Sequence, residues 1–195
     1  MAIDLLEKNG ANPIEFGRCV YRLLRDGRKK FRNLFLVGNE GCGKSFLFDP
    51  LESLFKVMTT PATKYGWADA AEVEVIYLND FRYGPGNVGP DGTCLIEWDT
   101  LLRLTDGSSV NLKRPRNMFA SDVEIKKTNT VPIFANGPSF IENIAYGMDA
   151  RVKEQAMMDS RFTVIDLNYR VPPDDRIDCE PCTACFARLA LLGKE

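Results

Sequence analysis

The chain contains no histidine. That absence removes every reaction built on an imidazole: Ser-His-Asp and Cys-His nucleophiles, H-E-x-x-H zinc sites, and nickases that hold a metal on paired histidines. Any catalysis falls to carboxylates, Lys, Arg, amides or a bound metal. No apolar run approaches the roughly 18 residues of a membrane-spanning helix. The start, Met1-Ala2-Ile3-Asp4-Leu5-Leu6-Glu7-Lys8, has neither the basic nor the apolar region of a secretory signal, so an intracellular protein is expected. Strong charge of one sign is missing too: Lys+Arg 25 against Asp+Glu 27 leaves a net charge of −2, which excludes a wholesale polyanion-binding surface. Repeats, low-complexity tracts and Gly/Ser linkers are also absent, and apolar residues make up 45% of the chain, which excludes disorder. The 195 residues read as one domain with a short tail, large enough to bury a core without disulfides.

Six cysteines are present, and this context favours reduced thiols. Cys19, Cys42 and Cys94 read as isolated small residues. Cys179, Cys182 and Cys185 form C-x-x-C-x-x-C, a spacing that can gather thiolates around one zinc ion. A tetrahedral site needs a fourth ligand from a distant cysteine, a carboxylate or residues beyond this chain. A ferredoxin cluster would want a cysteine at 189, where Leu189 stands. Free thiols in a C-terminal tail are the alternative.

Along the chain, Asn12-Pro13-Ile14-Glu15 supplies an N-cap, a proline at N1 and an acid at N3, and opens a helix with Phe16, Val20, Leu23 and Leu24 on one face. Gly27 ends it. Arg18, Arg22, Arg25, Arg28, Lys29, Lys30 and Arg32 make its flank and exit basic, which is either a solvated face or a contact with nucleic acid or another subunit. Leu34-Phe35-Leu36-Val37 is a continuous apolar run, as in a strand covered on both faces of a parallel sheet. A helix over 45–55 and a strand over 73–78 follow. Trp98, Leu101, Leu102 and Thr105 recur at helical spacing up to Asp106-Gly107. Alternation over 110–127 predicts a β-hairpin, and 131–135 and 162–167 predict two more strands. Strands alternating with helices imply an α/β fold, a parallel sheet with right-handed crossovers.

Gly38-Asn39-Glu40-Gly41-Cys42-Gly43-Lys44-Ser45 fits G-x-x-x-x-G-K-[ST] and lies between a strand and a helix, where a P-loop has to be. Glycines there let successive N–H groups and the helix start face a polyphosphate. Gly38 to Phe46 are the candidate nucleotide contacts, with Lys44 on the β/γ-phosphates and the Ser45 hydroxyl on Mg²⁺. The alternative, an ordinary glycine-rich turn, leaves Lys44 without a reason.

Such a site also needs a carboxylate from a neighbouring strand. The 73–78 strand leads into Asn79-Asp80, where Asp80 suits the metal role, or else caps loop amides, while Asn79 cannot act as a base. Asn136 ends the 131–135 strand and reads as a sensor that orients the attacking water, or as half of an Asn-Gly turn. Arg161 precedes the 162–167 strand and reads as an exposed arginine finger, or as plain surface charge.

In order and spacing this set resembles the superfamily-3 helicase domain, the motor of replication initiators of small DNA viruses such as parvovirus-like and circular single-stranded DNA viruses. The loop 38–45 resembles its Walker A motif and Tyr77-Leu78-Asn79-Asp80-Phe81 its Walker B. The stretch from Trp98 through Lys113 resembles its B′ motif, and Val131-Pro132-Ile133-Phe134-Ala135-Asn136 its motif C. The resemblance covers about 15–170, which suggests a helicase-like ATPase domain over 1–172 and a tail over 173–195 carrying the cysteines.

The resemblance implies an AAA+-like P-loop fold with an inserted hairpin. It further implies ATP and Mg²⁺ as cofactors, hydrolysis at subunit interfaces of a homo-oligomeric, hexameric ring, and single-stranded DNA drawn through the pore. It makes Lys44 and Ser45 nucleotide and metal ligands, Asp80 the Walker B acid, Asn136 the sensor and Arg161 the finger. A viral or virus-derived member would act in the nucleus of a eukaryotic host cell. The family usually carries two consecutive acids where this chain has Asn79-Asp80, and the nickase domain that often precedes the motor has no counterpart.

Lys113, Arg114 and Arg116 on one hairpin arm and Lys126 and Lys127 on the other would line such a pore, with Phe119 near the tip either stacking on a base or packing locally. Two other readings stay open. One is a nucleotide-gated DNA-binding assembly module with weak turnover. The other is a small P-loop kinase, which would normally need an Arg-rich lid that this chain does not show.

Overall fold

Burial on both sheet faces requires apolar residues at successive positions of a strand, because neighbouring side chains point to opposite faces. Asn33–Gly38 (β1) meets that requirement. Leu34 and Leu36 pack into one apolar layer and Phe35 into the other. A computed structural model of the chain describes residues 2–83, 95–115, 121–138, 148–176 and 180–194. In it β1 lies in a parallel sheet with Val57–Thr59 (β2), Val75–Leu78 (β3), Ile133–Gly137 (β6) and Phe162–Leu167 (β7), in the order β2-β3-β6-β1-β7. Val110–Leu112 (β4) and Val123–Ile125 (β5) pair antiparallel as the expected hairpin between β3 and β6. Arg116 and Phe119, like Cys94 and Cys179, lie outside the described residues.

The same alternation runs through the central strands. Val75, Tyr77 and Phe134 share the layer of Leu34 and Leu36, while Ile76, Leu78, Ile133 and Ala135 share that of Phe35. The first layer contains Ala2–Lys8 (α1), Pro13–Asp26 (α2), Lys44–Phe48 (α3), Pro50–Leu54 (α4) and Thr183–Leu192 (α8). The second contains the 3₁₀ helix Gly66–Ala71, Trp98–Asp106 (α5), the hairpin and Met148–Asp159 (α6). Helices on both faces of a parallel sheet give the three-layer α/β fold expected from the sequence.

Helix α2 begins as its cap predicts: the Asn12 side chain accepts from the N–H groups of Ile14 and Glu15, and Gly27 ends the helix at φ 69°. The helix expected over 45–55 is broken into α3 and α4. Pro50 has no N–H to offer the Phe46 carbonyl, so the hydrogen-bond ladder restarts there.

Within the region read as a tail, Thr183–Leu192 packs on the domain. After Pro173–Arg176 (α7), α8 docks on α2 through Phe186, Leu189 and Ala190, an i, i+3, i+4 stripe. Gly17 makes the close crossing possible, since a Cβ there would stand 2.1 Å from the Leu189 carbonyl oxygen.

At the end of the sheet where β1 begins, the C-terminus of α5 presents buried carbonyls that need donors. Arg28, only 3% exposed, donates to the carbonyls of Leu104 (2.6 Å), Ser108 (3.1 Å), Asn129 (3.1 Å) and Lys126 (3.2 Å). Asn33 donates to the carbonyls of Thr105 (2.6 Å) and Arg161 (2.9 Å). Arg161 corrects an expectation. It is 8% exposed, donates to the carbonyls of Leu102 and Met157, and stands 3.8 Å from Asp106. Cations suit a helix C-terminus, where the dipole is negative. Arg161 is therefore a clamp between α5 and α6 and not an exposed finger.

Replacing Arg28 with Met should leave four carbonyls without their donor and lower unfolding free energy by about 3 kcal/mol in urea titration, whereas Arg22→Met on the exposed side of α2 should change it by less than about 0.5 kcal/mol.

Candidate nucleotide-binding site

The loop 39–43 leaves β1 and turns directly into α3. Gly41 (φ 76°) and Gly43 (φ 85°) adopt the left-handed conformation that side chains disfavour, and a Cβ on Gly43 would meet Leu5 Cδ2 at 2.4 Å. Glycine at position 38 is also required, because a Cβ there would reach the Leu167 carbonyl oxygen at 2.1 Å and Cys42 Sγ at 2.7 Å. The loop is thus wrapped between α1 on one side and the end of β7 on the other, and Val171 N–H donates to the Gly41 carbonyl at 2.9 Å. Lys44 Nζ folds across this cradle and donates to the carbonyls of Gly38 (2.7 Å) and Asn39 (2.8 Å). Asn39 and Glu40 are exposed, Cys42 is buried, and Phe46 packs against the apolar layer.

Strand order brings the acidic turn to the same edge. The Ser45 hydroxyl meets Asn79 Oδ1 at 3.4 Å, so the neighbour that β3 delivers to the loop serine is Asn79. Asp80 occupies the turn beyond it, with φ 48°, a side chain 70% exposed and its carboxylate 3.6 Å from Arg82. Aspartate tolerates this left-handed backbone better than most residues. The turn is held from both sides: Thr60 donates to the Asn79 carbonyl at 3.0 Å, and Asp80 N–H donates to Asn136 Oδ1 at 2.8 Å.

Asn136 is almost fully buried at the end of β6, between the ends of β1 and β3. Its other amide group donates to the Tyr77 hydroxyl at 2.8 Å, and that hydroxyl donates to Asp49 Oδ1 at 3.1 Å. Asn136 belongs to no Asn-Gly hairpin turn, since Gly137 continues the strand. The chain Asp80–Asn136–Tyr77–Asp49 links the acidic turn to the residue one helical turn beyond Ser45.

Sequence reading missed Tyr77 and Asp49. Two signals were available: a tyrosine on a fully buried strand needs a partner for its hydroxyl, and Asp49 stands four residues after Ser45 on a helical path. Burial raises the pKa of Asp49 above its usual value, partly offset by the Tyr77 hydrogen bond, and burial raises that of Tyr77.

The hairpin cations fall into two groups. Lys113 stands 3.6 Å from Glu97, and Arg114 is 2.6 Å from Glu72, whereas Lys126 and Lys127 are exposed at the base. Cys182 and Cys185 are exposed at the start of α8, with the Cys182 sulfur capping the Cys185 N–H. Among the described residues, no group of three or more possible ligands is assembled for a metal.

The raised Asp49 pKa sets a sign. An acid whose folded pKa lies above its unfolded one contributes stability at low pH that is lost as pH rises through the folded value. Asp49→Asn keeps an acceptor for Tyr77 and removes the buried charge. It should therefore stabilise the protein at pH 7, with the gain shrinking as pH falls towards the ordinary value of 3.8, as read by urea unfolding across that range.

No protein-family model matches the chain, and no curated protein matches it. Among solved structures it is similar to the apo A form of the NrS-1 C-terminal region, with TM-score 0.53 and 15% identity over 97% of this chain and 42% of that one. A second structure of that region aligns at TM-score 0.45 and 15% identity over 92% of this chain and 38% of that one. JCV helicase, bound to a thiazolopyridine-phenoxyphenyl acetamide, aligns at TM-score 0.45 and 13% identity over 93% of this chain and 60% of that one. This chain therefore spans less than half the length of the NrS-1 region. At such identities the likeness is one of fold, and the fold is that of a P-loop α/β domain with a five-stranded parallel sheet.

Proposed function

We propose that this chain is an ATP-dependent helicase motor of a replication initiator, hydrolysing ATP at the interfaces of a ring and moving on single-stranded DNA. The observation that carries the reading is the convergence of loop 38–45, Asn79-Asp80 and Asn136 at the C-terminal ends of three adjacent strands, with a hairpin inserted between β3 and β6. The cradle would suit a polyphosphate, because Gly41 and Gly43 take the left-handed backbone that such a wrapped loop needs and Lys44 lies across it. Lys44 would exchange the Gly38 and Asn39 carbonyls for phosphate oxygens. Ser45 and Asn79 would hold Mg²⁺, which supplies charge stabilisation for phosphoryl transfer. Asp80, on its exposed turn, would take the proton of the attacking water, and Asn136 would fix that turn through the Asp80 N–H. This moves Asp80 from the metal role read from the sequence to that of base, since Asn79 is the residue beside Ser45. A cation acting across the ring interface would have to come from a residue other than Arg161.

A second reading has one observation in its favour. Asn79 places a neutral amide where a carboxylate would bring negative charge to the metal, which suits a nucleotide-gated DNA-binding module with little turnover. ATPase rates separate the two. A motor should lose about 100-fold in rate on Lys44→Ala. If wild type turns over no faster than Lys44→Ala while Asn79→Asp restores hydrolysis, the module reading replaces the motor. For the hairpin, replacing Lys113 and Arg114 with Ala should weaken single-stranded DNA binding and flatten its logarithmic salt slope by about 1.4, measured by fluorescence anisotropy. Unchanged binding would remove the hairpin from the DNA path.

A further inference from the structure

The basic exit of α2 lies at the opposite end of β1 from the phosphate loop, about 20 Å away along a six-residue strand. Phe31 stands there with φ 57°, a left-handed backbone that a bulky aromatic rarely adopts, and its residue is 69% exposed. The strained backbone is pinned. Phe31 N–H donates to the Ser160 carbonyl at 3.1 Å, the Thr163 hydroxyl donates to the Phe31 carbonyl at 3.1 Å, and Arg32 N–H closes the turn on the Lys29 carbonyl at 3.1 Å. Glycine or asparagine would suit that φ, and a polar residue would suit that exposure. A rigidly presented aromatic ring meets neither preference, and strain of this kind concentrates where a side chain serves a ligand.

Its surroundings are cationic. Lys29 and Lys30 adjoin it in sequence, and Arg28 ties the loop to the carbonyls of Lys126 and Asn129, which brings exposed Lys126 and Lys127 to the same end. None of these four lysines takes part in an ion pair among the described residues. Three carboxylates nearby are engaged, Asp26 by Arg25, Asp106 by the Ser108 N–H and Arg161, and Asp159 by Gln155, while Glu124 on β5 is exposed. One aromatic face among unpaired lysines fits a chain of phosphates with bases to stack. It suits an apolar protein surface less well, because the sequence neighbours of Phe31 are Lys29, Lys30 and Arg32, although Met157 and Val164 are partly exposed on the neighbouring segment.

We propose that the loop 29–32 together with Lys126 and Lys127 is a second contact for single-stranded nucleic acid, distinct from the hairpin arm of Lys113 and Arg114. Phe31 stacks on one base, and the lysines hold the adjoining phosphates. The inference rests on the nucleic-acid part of the reading above and is independent of nucleotide hydrolysis.

The test measures binding of a fluorescent oligo(dT) to the full chain over a salt series. Phe31→Ala should weaken binding about tenfold with the salt slope kept, whereas Phe31→Tyr should bind as wild type does. Lys29→Glu combined with Lys30→Glu should flatten the slope by about 1.4 or more. Binding of a nucleotide analogue should be unaltered in all three. Should Phe31→Ala and the double lysine variant bind like wild type while the Lys113/Arg114 variant weakens, the second contact is rejected and the helicase reading stands. A wild type with no affinity for oligo(dT) rejects both. Loss of self-association or of binding to phosphatidylserine vesicles, with oligo(dT) affinity intact, assigns the surface to a second copy or to a membrane and also rejects it.

Discussion

The buried amide of Asn136 joins the parts of the candidate site. Its oxygen accepts the Asp80 N–H and its nitrogen donates to the Tyr77 hydroxyl, which in turn donates to Asp49. A buried amide left unpaired costs about 1–3 kcal/mol, so the strand end, the acidic turn and the helix after the phosphate loop hold one another in register. The network exists because β6 inserts between β1 and β3, although the hairpin and α5 separate it from β3 in sequence. A polar chain crosses an otherwise apolar layer here, and each of its members has a partner.

The far end of the sheet follows the same rule with different chemistry. The carbonyls that end α5 are met by Arg28, Asn33 and Arg161, two cations and an amide at the negative end of a helix. Arg28 also reaches the exit of the hairpin through the carbonyls of Lys126 and Asn129. The hairpin base is thereby fixed to the strand that carries the phosphate loop.

Much of this architecture is readable from local pattern. The Asn12 cap, the Gly27 and Gly107 stops, the apolar runs of β1, β3 and β7, and the glycine spacing of the loop each express a preference satisfied within a few residues. The break at Pro50 was readable in the same way, as a missing donor, but the apolar pattern of 45–55 masked it. The docking of α8 was harder to see. Its stripe of Phe186, Leu189 and Ala190 is short, and its partner surface, Gly17, lies more than 160 residues earlier, a pairing that no local window contains.

The charged residues divide in the same way. The roles expected of Lys44 and Ser45 rest on their own neighbours, because a phosphate-binding pattern is a local device built from consecutive backbone groups. Arg28, Arg161 and the order of Asn79 and Asp80 were not assignable so, since the same arginine is a surface charge or a buried clamp depending on which carbonyls the fold brings to it. Hydrogen bonds to a helix end 59 or 76 residues away, and the direction in which a strand-end turn points its side chains, are properties of packing. The sequence supplied donors and acceptors, and the arrangement of the sheet chose their partners.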